Sequence, residues 1–459
     1  MIGWLVAACA AAQLVAGPQH PAPPQTAGPG TSEKALTIDG HLSLSGDILP
    51  VMDVSELRPQ VMVDTRGALA RARLRYRVQG ILEALVRFRP ASAGQVPGHD
   101  TRVTGAIGRV RDTWIETAGG RADVRAGYGR VVWGRLDEIQ PSDVINPLDA
   151  SRFLLDGRSE ARLPVTFVRG RFFAREDLTI EGVFAPIFER GRFDELEEST
   201  SPFNLFRAID LPVLPGALAG ASSFVPEVRR IEPDRTWSNV SGGARVSTTI
   251  GRLDVAGAVY RGFESFGLVA LEGAAAPQLT APAELTLVER YPRFTMIAGD
   301  FETVRGDWAI RGEAAVFVDK QLQSVTGTRA LNGRALDAGV GFDRQSGDYR
   351  VFGSVIVHGE WSTAGSGSTA PNEPHLSRTH VNLVASIERP FARDRYFVRG
   401  FGVVNPGDGA GFVRGLFVWK VRDDVTVEGS AAAFLGTSDD TLGRFQDRDF
   451  VLMRLRYRW

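Results

Sequence analysis

The amino-acid sequence predicts an all-β chain closed into a transmembrane antiparallel up-and-down β-barrel of about 18 strands (16–18). Three observations predict it. The chain ends on Val451-Leu-Met-Arg-Leu-Arg-Tyr-Arg-Trp459, where Val451, Met453, Leu455, Tyr457 and Trp459 alternate with Leu452, Arg454, Arg456 and Arg458. Successive side chains of a strand point to opposite faces, so this segment has one greasy face and one cationic face, as a lipid-embedded closing strand requires. From Ala35 onward, extended segments of about 10–14 residues recur, the length of a tilted strand crossing a bilayer. Short turns then alternate strictly with long loops, which a soluble sandwich has no reason to do.

In order along the chain, 1–16 reads as a secretory signal, being short, apolar and Ala-rich, with cleavage after Ala12 or Ala16. The first cation is Lys34, so a positive n-region is missing, which points to a start further upstream. Residues 17–34 hold Pro18, Pro21, Pro23, Pro24 and Pro29 and read as a linker. The barrel then occupies 35–459. Its strands are placed near 35–47, 66–77, 79–89, 102–116, 121–133, 161–173, 177–189, 240–250, 253–263, 284–298, 306–318, 334–344, 348–361, 378–390, 394–404, 411–420, 424–436 and 448–459. Turn chemistry marks Gly119-Gly120, Gly251-Arg-Leu-Asp254, Ser346-Gly-Asp348, Arg393-Asp394 and Arg422-Asp-Asp424. The long loops lie near 134–160, 190–239, 264–283, 319–333, 362–377 and 437–447. An even strand count puts both termini and the short turns on the periplasmic side. Trp133 and Trp361 fall at outer strand ends, and Trp308, Trp419, Tyr457 and Trp459 at periplasmic ends, as two aromatic girdles would. Tyr457 and Trp459 also form the expected recognition end for the barrel-assembly machinery.

Composition excludes several classes. No run of about 18 apolar residues follows the amino-terminus, so transmembrane helices are excluded. A formal net charge of -1 argues against a nucleic-acid partner. Cys9 is the only cysteine, which rules out an intramolecular disulfide. Arginine outnumbers lysine 50 to 3, through a GC-rich genome or a demand of the fold.

Two stretches carry a resemblance. The first is Gly127-Tyr-Gly-Arg130, Val132-Trp-Gly134 and Asp143-Val-Ile-Asn-Pro-Leu-Asp149; the second is Tyr291-Pro-Arg-Phe294 with Trp308-Ala-Ile-Arg-Gly-Glu-Ala314. Together they resemble the porin-like Gram-negative outer-membrane barrel family catalogued as domain of unknown function 1302, in which Gln is usual where Val131 stands here. The resemblance implies an outer-membrane barrel and leaves the cargo open, lipid traffic included.

Function is expected on the lumen face. Arg71, Arg73, Arg75 and Arg77 share one parity on the second predicted strand; Arg87 and Arg89 extend it on the third, and Arg454, Arg456 and Arg458 on the last. An arginine at mid-bilayer on the lipid face costs roughly 2–4 kcal/mol, so these side chains are expected to line the pore. Asp137, Glu138, Asp143 and Asp149 lie on the 134–160 loop, which is expected either to form an acidic constriction opposite this wall or to cap it from outside. Asp149 is placed to cap a short helix ending at Gly157. The 190–239 loop begins acidic and turns apolar, as a plug or a surface lid would. His358 and His380 share lumen parity on neighbouring strands and are weak metal candidates; no metal site and no cofactor is assigned. No nucleophile elbow or zinc-helix motif appears, so no enzyme activity is expected. The expected activity is passive passage of small hydrophilic solutes, anions favoured, by a monomer or homotrimer in outer-membrane lipid. A conduit for lipid or hydrophobic compounds working with a periplasmic carrier, and a non-conducting structural or adhesive barrel, are the alternatives.

Overall fold

The computed structural model describes residues 36–69, 73–88, 102–195, 198, 201–204, 227–274, 285–324, 330–363, 376–437 and 442–459. The segments read from sequence as signal and linker, with Cys9, lie outside them. The strands are β1 (Leu36–Leu49), β2 (Val54–Leu69), β3 (Leu74–Phe88), β4 (Arg102–Val110), β5 (Thr113–Gly119), β6 (Ala122–Gly129), β7 (Val165–Arg175), β8 (Leu178–Ala185), β9 (Glu227–Ile231), β10 (Ser241–Ile250) and β11 (Leu253–Phe263). They continue as β12 (Leu268–Ala274), β13 (Leu285–Arg290), β14 (Arg293–Arg305), β15 (Trp308–Gln323), β16 (Ala330–Ser346), β17 (Tyr349–Ser362), β18 (Ser377–Phe391), β19 (Tyr396–Val404), β20 (Gly411–Lys420), β21 (Val425–Leu435) and β22 (Phe450–Arg458).

Nineteen of these strands belong to one sheet, and β9, β12 and β13 form a separate three-stranded sheet. The wall runs antiparallel from neighbour to neighbour and closes where β1 pairs with β22, from His41↔Arg458 to Ile48↔Val451. β4 and β5 are two parts of one wall strand, since both pair with β3 and only Arg111 and Asp112 separate them. Counted so, the barrel has 18 spans. Closure follows from the solvent: in hydrocarbon an unpaired backbone group has no water to turn to and costs several kcal/mol, so a sheet there must have no edge.

The alternation sorts side chains as the closing strand indicated. On β1, Leu42, Leu44 and Ile48 are exposed, while Ser43, Ser45 and Asp47 are buried. On β22, Val451, Met453 and Leu455 face outward, while Leu452 and Arg454 are buried. Leu82, Ile297, Val355 and Leu383 continue the outer belt around the barrel. All eight connections at the end bearing the termini are short, and Gly120, Gly251, Gly306 and Gly347 take φ of 48, 66, 59 and 58° there. The left-handed conformation matches hairpin twist and is cheapest for glycine.

The structure corrects several boundaries. β2 fills most of the stretch between the first two predicted strands, where none was placed, because Pro59 and the inward-facing Glu56, Arg58 and Asp64 mask its apolar alternation. The predicted strands 66–77 and 79–89 break in the wrong place, and β3 runs unbroken from Leu74. Arg71 and Arg89 lie outside the described residues and Arg73 sits in the β2–β3 turn, so no four-arginine ladder occupies one strand. The predicted strand 284–298 is two strands, β13 and β14, broken at Tyr291-Pro292. The predicted loop 319–333 is mostly wall, because β15 and β16 run on to Gln323 and from Ala330. Trp133 is not a girdle residue: it lies inside, 2% exposed. The wall is uneven, with 16 and 17 residues in β15 and β16 but 8 each in β6 and β8.

Met453 is 62% exposed in the middle of the closing strand. We expect Met453→Arg to lower unfolding free energy in phospholipid vesicles by about 2–4 kcal/mol. Denaturant titration of wild type and variant measures it, and an unchanged midpoint would place this face away from lipid.

Candidate functional site

The site is the lumen, and one segment shapes it. β6 stops at Gly129, and the chain turns into the barrel instead of climbing the wall, returning only at Val165 on β7. Asn146 ties the two ends of this inner loop together: its Oδ1 accepts from Val131 N at 2.8 Å and its Nδ2 donates to Leu163 O at 2.7 Å. Asp149 caps the helix Ala150–Asp156, accepting from the backbone of Ser151 and Arg152, and Gly157 (φ 87°) ends it. Both helix ends stand where the sequence placed them.

Glu313 of β15 holds the loop to the wall. Its carboxylate accepts from Arg135 N at 2.9 Å, Leu136 N at 3.3 Å, Ser142 N at 2.6 Å and Ser142 Oγ at 2.7 Å. Gly134 lies against it, and a Cβ there would sit 2.7 Å from the carboxylate oxygens. Trp133 donates its Nε1–H to Glu181 of β8 at 2.6 Å. Neither Glu313 nor Trp133 was singled out as a lumen residue by sequence; the signal available was their place in the two motif stretches, which meet here.

The loop acids divide. Asp137 pairs with Arg311 of β15 at 2.7 Å, and Glu138 with Arg399 of β19. Asp143 instead binds Arg158 and Arg162 within the loop, at 2.9 and 2.6 Å, and Asp149 is the helix cap. The expected row of four acids facing an arginine wall is therefore corrected: two reach the wall, and two hold the loop's own shape. Asp156, a further acid of the same loop, takes Arg454 of β22. Two of the other predicted arginines are equally engaged. Arg77 bridges Asp64 and Asp112 at 2.7 and 3.2 Å, and Arg87, 1% exposed, bridges Glu56 and Asp194. Arg75 is half-buried at the start of β3. Arg456 and Arg458 differ: among the described residues neither forms a salt bridge to a carboxylate, and the Nε of Arg456 is buried without a hydrogen bond.

The helix packs Phe153, Leu154 and Leu155 against a buried apolar cluster that includes Phe401, Phe412, Phe434 and Phe450, which fills the β19–β22 side of the lumen towards the long loops. On the β1–β3 side a cavity of about 720 Å³ remains. Eleven arginines and seven carboxylates line it, with His41, Ser43 and Ser45. Its lining reaches Asp39 and Arg458 at the end bearing the termini. Towards the long loops it stops at Arg58, whose guanidinium joins Glu56, Glu83 and Asp194. His358 and His380 stand opposite each other in the β17–β18 register, but His358 is taken by Asp337 and lies 3.4 Å from Glu360. Among the described residues no group of three His, Cys, Asp or Glu could hold a metal ion.

The profile of the family described as "Protein of unknown function (DUF1302)" matches residues 83–401. The chain belongs to that family. No curated protein matches it. Among solved structures this DUF1302 chain is similar to OccK7 (OpdD) of Pseudomonas aeruginosa, at 10% identity and TM-score 0.49, covering 92% of this chain and 98% of that one. It is similar to a BenF-like porin from Pseudomonas fluorescens Pf-5, at 9% identity and TM-score 0.49, covering 93% and 97%. It is also similar to OmpT, an outer membrane protein of Vibrio cholerae, at 10% identity and TM-score 0.41, covering 92% and 97%.

Replacing Glu313 by Ala removes the acceptor of four hydrogen bonds, each charge-assisted and worth roughly 1.5–3 kcal/mol. We expect amide exchange at Arg135, Leu136 and Ser142 to accelerate about a hundredfold or more, a loss of about 3 kcal/mol, while β22 amides stay protected. Glu138 gives a pH signature. Burial pushes its carboxyl from 4.5 up to about 7, with Arg399 acting against the rise. The folded state thus keeps a proton that the unfolded chain loses between these values, so stability falls as pH rises through that window and is level above it. The unfolding free energy is expected to be higher at about pH 5 than at about pH 8, by on the order of 2–3 kcal/mol, and Glu138→Gln to flatten the slope.

Proposed function

We propose that this chain is a porin-like channel of the outer membrane for passive passage of small hydrophilic solutes, with anions favoured. The end bearing the termini faces the periplasm and the long loops face outward. The observation that carries the reading is the cavity lining: eleven arginines against seven carboxylates, with Arg456 and Arg458 in no salt bridge among the described residues. A wet cavity with low-dielectric walls and such a lining raises the local anion concentration and repels cations. The inner loop supplies the narrowing, and passage beyond Arg58 requires the segment carrying Asp194 to move aside. Diffusion along this route needs no catalytic residue and no cofactor. The protein works as a monomer or homotrimer, delivered by a signal peptide and the barrel-assembly machinery, with Tyr457 and Trp459 as its recognition end.

In planar bilayers with a salt gradient, we expect an anion-selective reversal potential. The double variant Arg456→Gln, Arg458→Gln should move it towards zero while leaving β1–β22 pairing intact. An unmoved potential would remove these two residues from the selectivity mechanism. Absence of any conductance would favour the non-conducting structural barrel.

A further inference from the structure

The wall has a break. β4 pairs with β3 along its whole length, from Arg102↔Phe88 to Val110↔Gly80. The neighbour expected on its other edge is β6, but β6 meets β5 only as far as Thr113↔Tyr128 and then turns inward. Among the described residues no strand and no backbone hydrogen bond meets that edge of β4. The next wall strand, β7, starts only at Val165, after Pro164, which has no N–H to leave unpaired.

This break stands at the height of the lipid belt. Across the β3–β4 pair, Gly108 faces Leu82 and Arg102 faces Phe88, and both Leu82 and Phe88 are exposed, at 60% and 47%. Open sheet edges do not occur against hydrocarbon; they are tolerated where they line a water-filled space. The 720 Å³ cavity supplies that space. Its lining includes Val110, Tyr128, Leu163 and Pro164 beside Arg109 and Arg111. Arg109 points inward to Glu83 and Glu195, so Val110, the next residue on the strand and 54% exposed, points outward, and the cavity touches it nonetheless. The strand irregularity at Arg111-Asp112 turns both side chains inward, to Glu160 and to Arg77 with Arg130, which is how a bulge ends pairing and redirects a strand.

We propose that the gap between β4 and the β6–β7 corner is a lateral port joining the cationic cavity to the bilayer, and that it takes a single-chain anionic amphiphile such as a long-chain carboxylate. The head group meets the guanidinium lining, where Arg456 and Arg458 form no salt bridge to a carboxylate among the described residues. The alkyl chain passes between Val110, Leu163 and Pro164 into the belt, alongside the small outward residues Thr104, Ala106 and Gly108. The proposal shares the cavity with the pore reading but not its axial route.

The test uses the full chain in phosphatidylcholine vesicles, with Cys9→Ser as background. Val110→Cys and, as a lipid-facing control, Leu82→Cys are exposed to a charged, membrane-impermeant thiol reagent. We expect Val110→Cys to react about tenfold faster, since labelling follows access and thiolate formation. Laurate should protect it several-fold, and acetate at the same concentration should not. Adding Arg456→Gln and Arg458→Gln should abolish laurate protection without changing the bare labelling rate. Equal rates at the two positions would overturn the port, and equal protection by acetate would overturn the amphiphile. A barrel that conducts anions with Val110→Cys unreactive keeps the pore and loses the port; laurate-protected labelling without conductance does the reverse.

Discussion

The interior depends on one carboxylate. Glu313 sits on a tall, well-paired part of the wall and collects three backbone donors and a hydroxyl from a loop about 170 positions away in sequence. A desolvated carboxylate is costly unless its lone pairs are filled, and backbone N–H groups held by a tight turn fill them at no cost in side-chain entropy. Gly134 is part of the same constraint, because a side chain there would displace the acid. Once this contact fixes the near end of the loop, Asn146 fixes its neck and the capped helix lies against the β19–β22 wall. The shape of the remaining cavity follows from that placement. The two stretches on which the sequence resemblance rests touch each other through this acid, so they describe a docking interaction rather than two separate features.

Around that anchor the lumen is held by arginine–carboxylate networks rather than by an apolar core alone. Arg311 spans Asp137, Glu302 and Asp343 at 2.7, 2.9 and 2.7 Å, and so joins loop, one strand and the next. The planar guanidinium can bridge acids on different strands at once, while an ammonium acts as a point charge. The 50 to 3 excess of arginine over lysine therefore suits the fold, whatever the genome contributes. Such pairs fix geometry more than they add stability, because burying the charges offsets much of their attraction.

Much of this was legible in the sequence, for a physical reason. Lipid demands an apolar outer face on every strand, and that demand writes a period-two signal that survived from β1 to β22. Turn chemistry marked the short connections for the same reason. The signal failed on β2, where inward charges and Pro59 crowd the strand, and on Arg71 to Arg77, where a polar alternation runs across a turn. Trp133 misled because an aromatic at a strand end reads alike whether the chain goes on into lipid or turns inside. The contact of Glu313 with the loop was invisible, since a single acid on a strand carries no mark of a partner half a barrel away. The helix cap at Asp149 was readable because it is local.

The uneven chemistry of the two halves of these ion pairs has a consequence of its own. Guanidinium groups stay protonated throughout the range in which bacteria live, and carboxylates do not. Acidification can therefore move the interior in one direction only. Each arginine-paired acid that takes up a proton leaves a fixed positive charge uncovered, so the tube grows more cationic as its surroundings sour. A wall of lysine-poor, arginine-rich strands therefore gains positive charge with acidity and loses it again as the pH rises, with its zero set by how many acids the fold has enlisted.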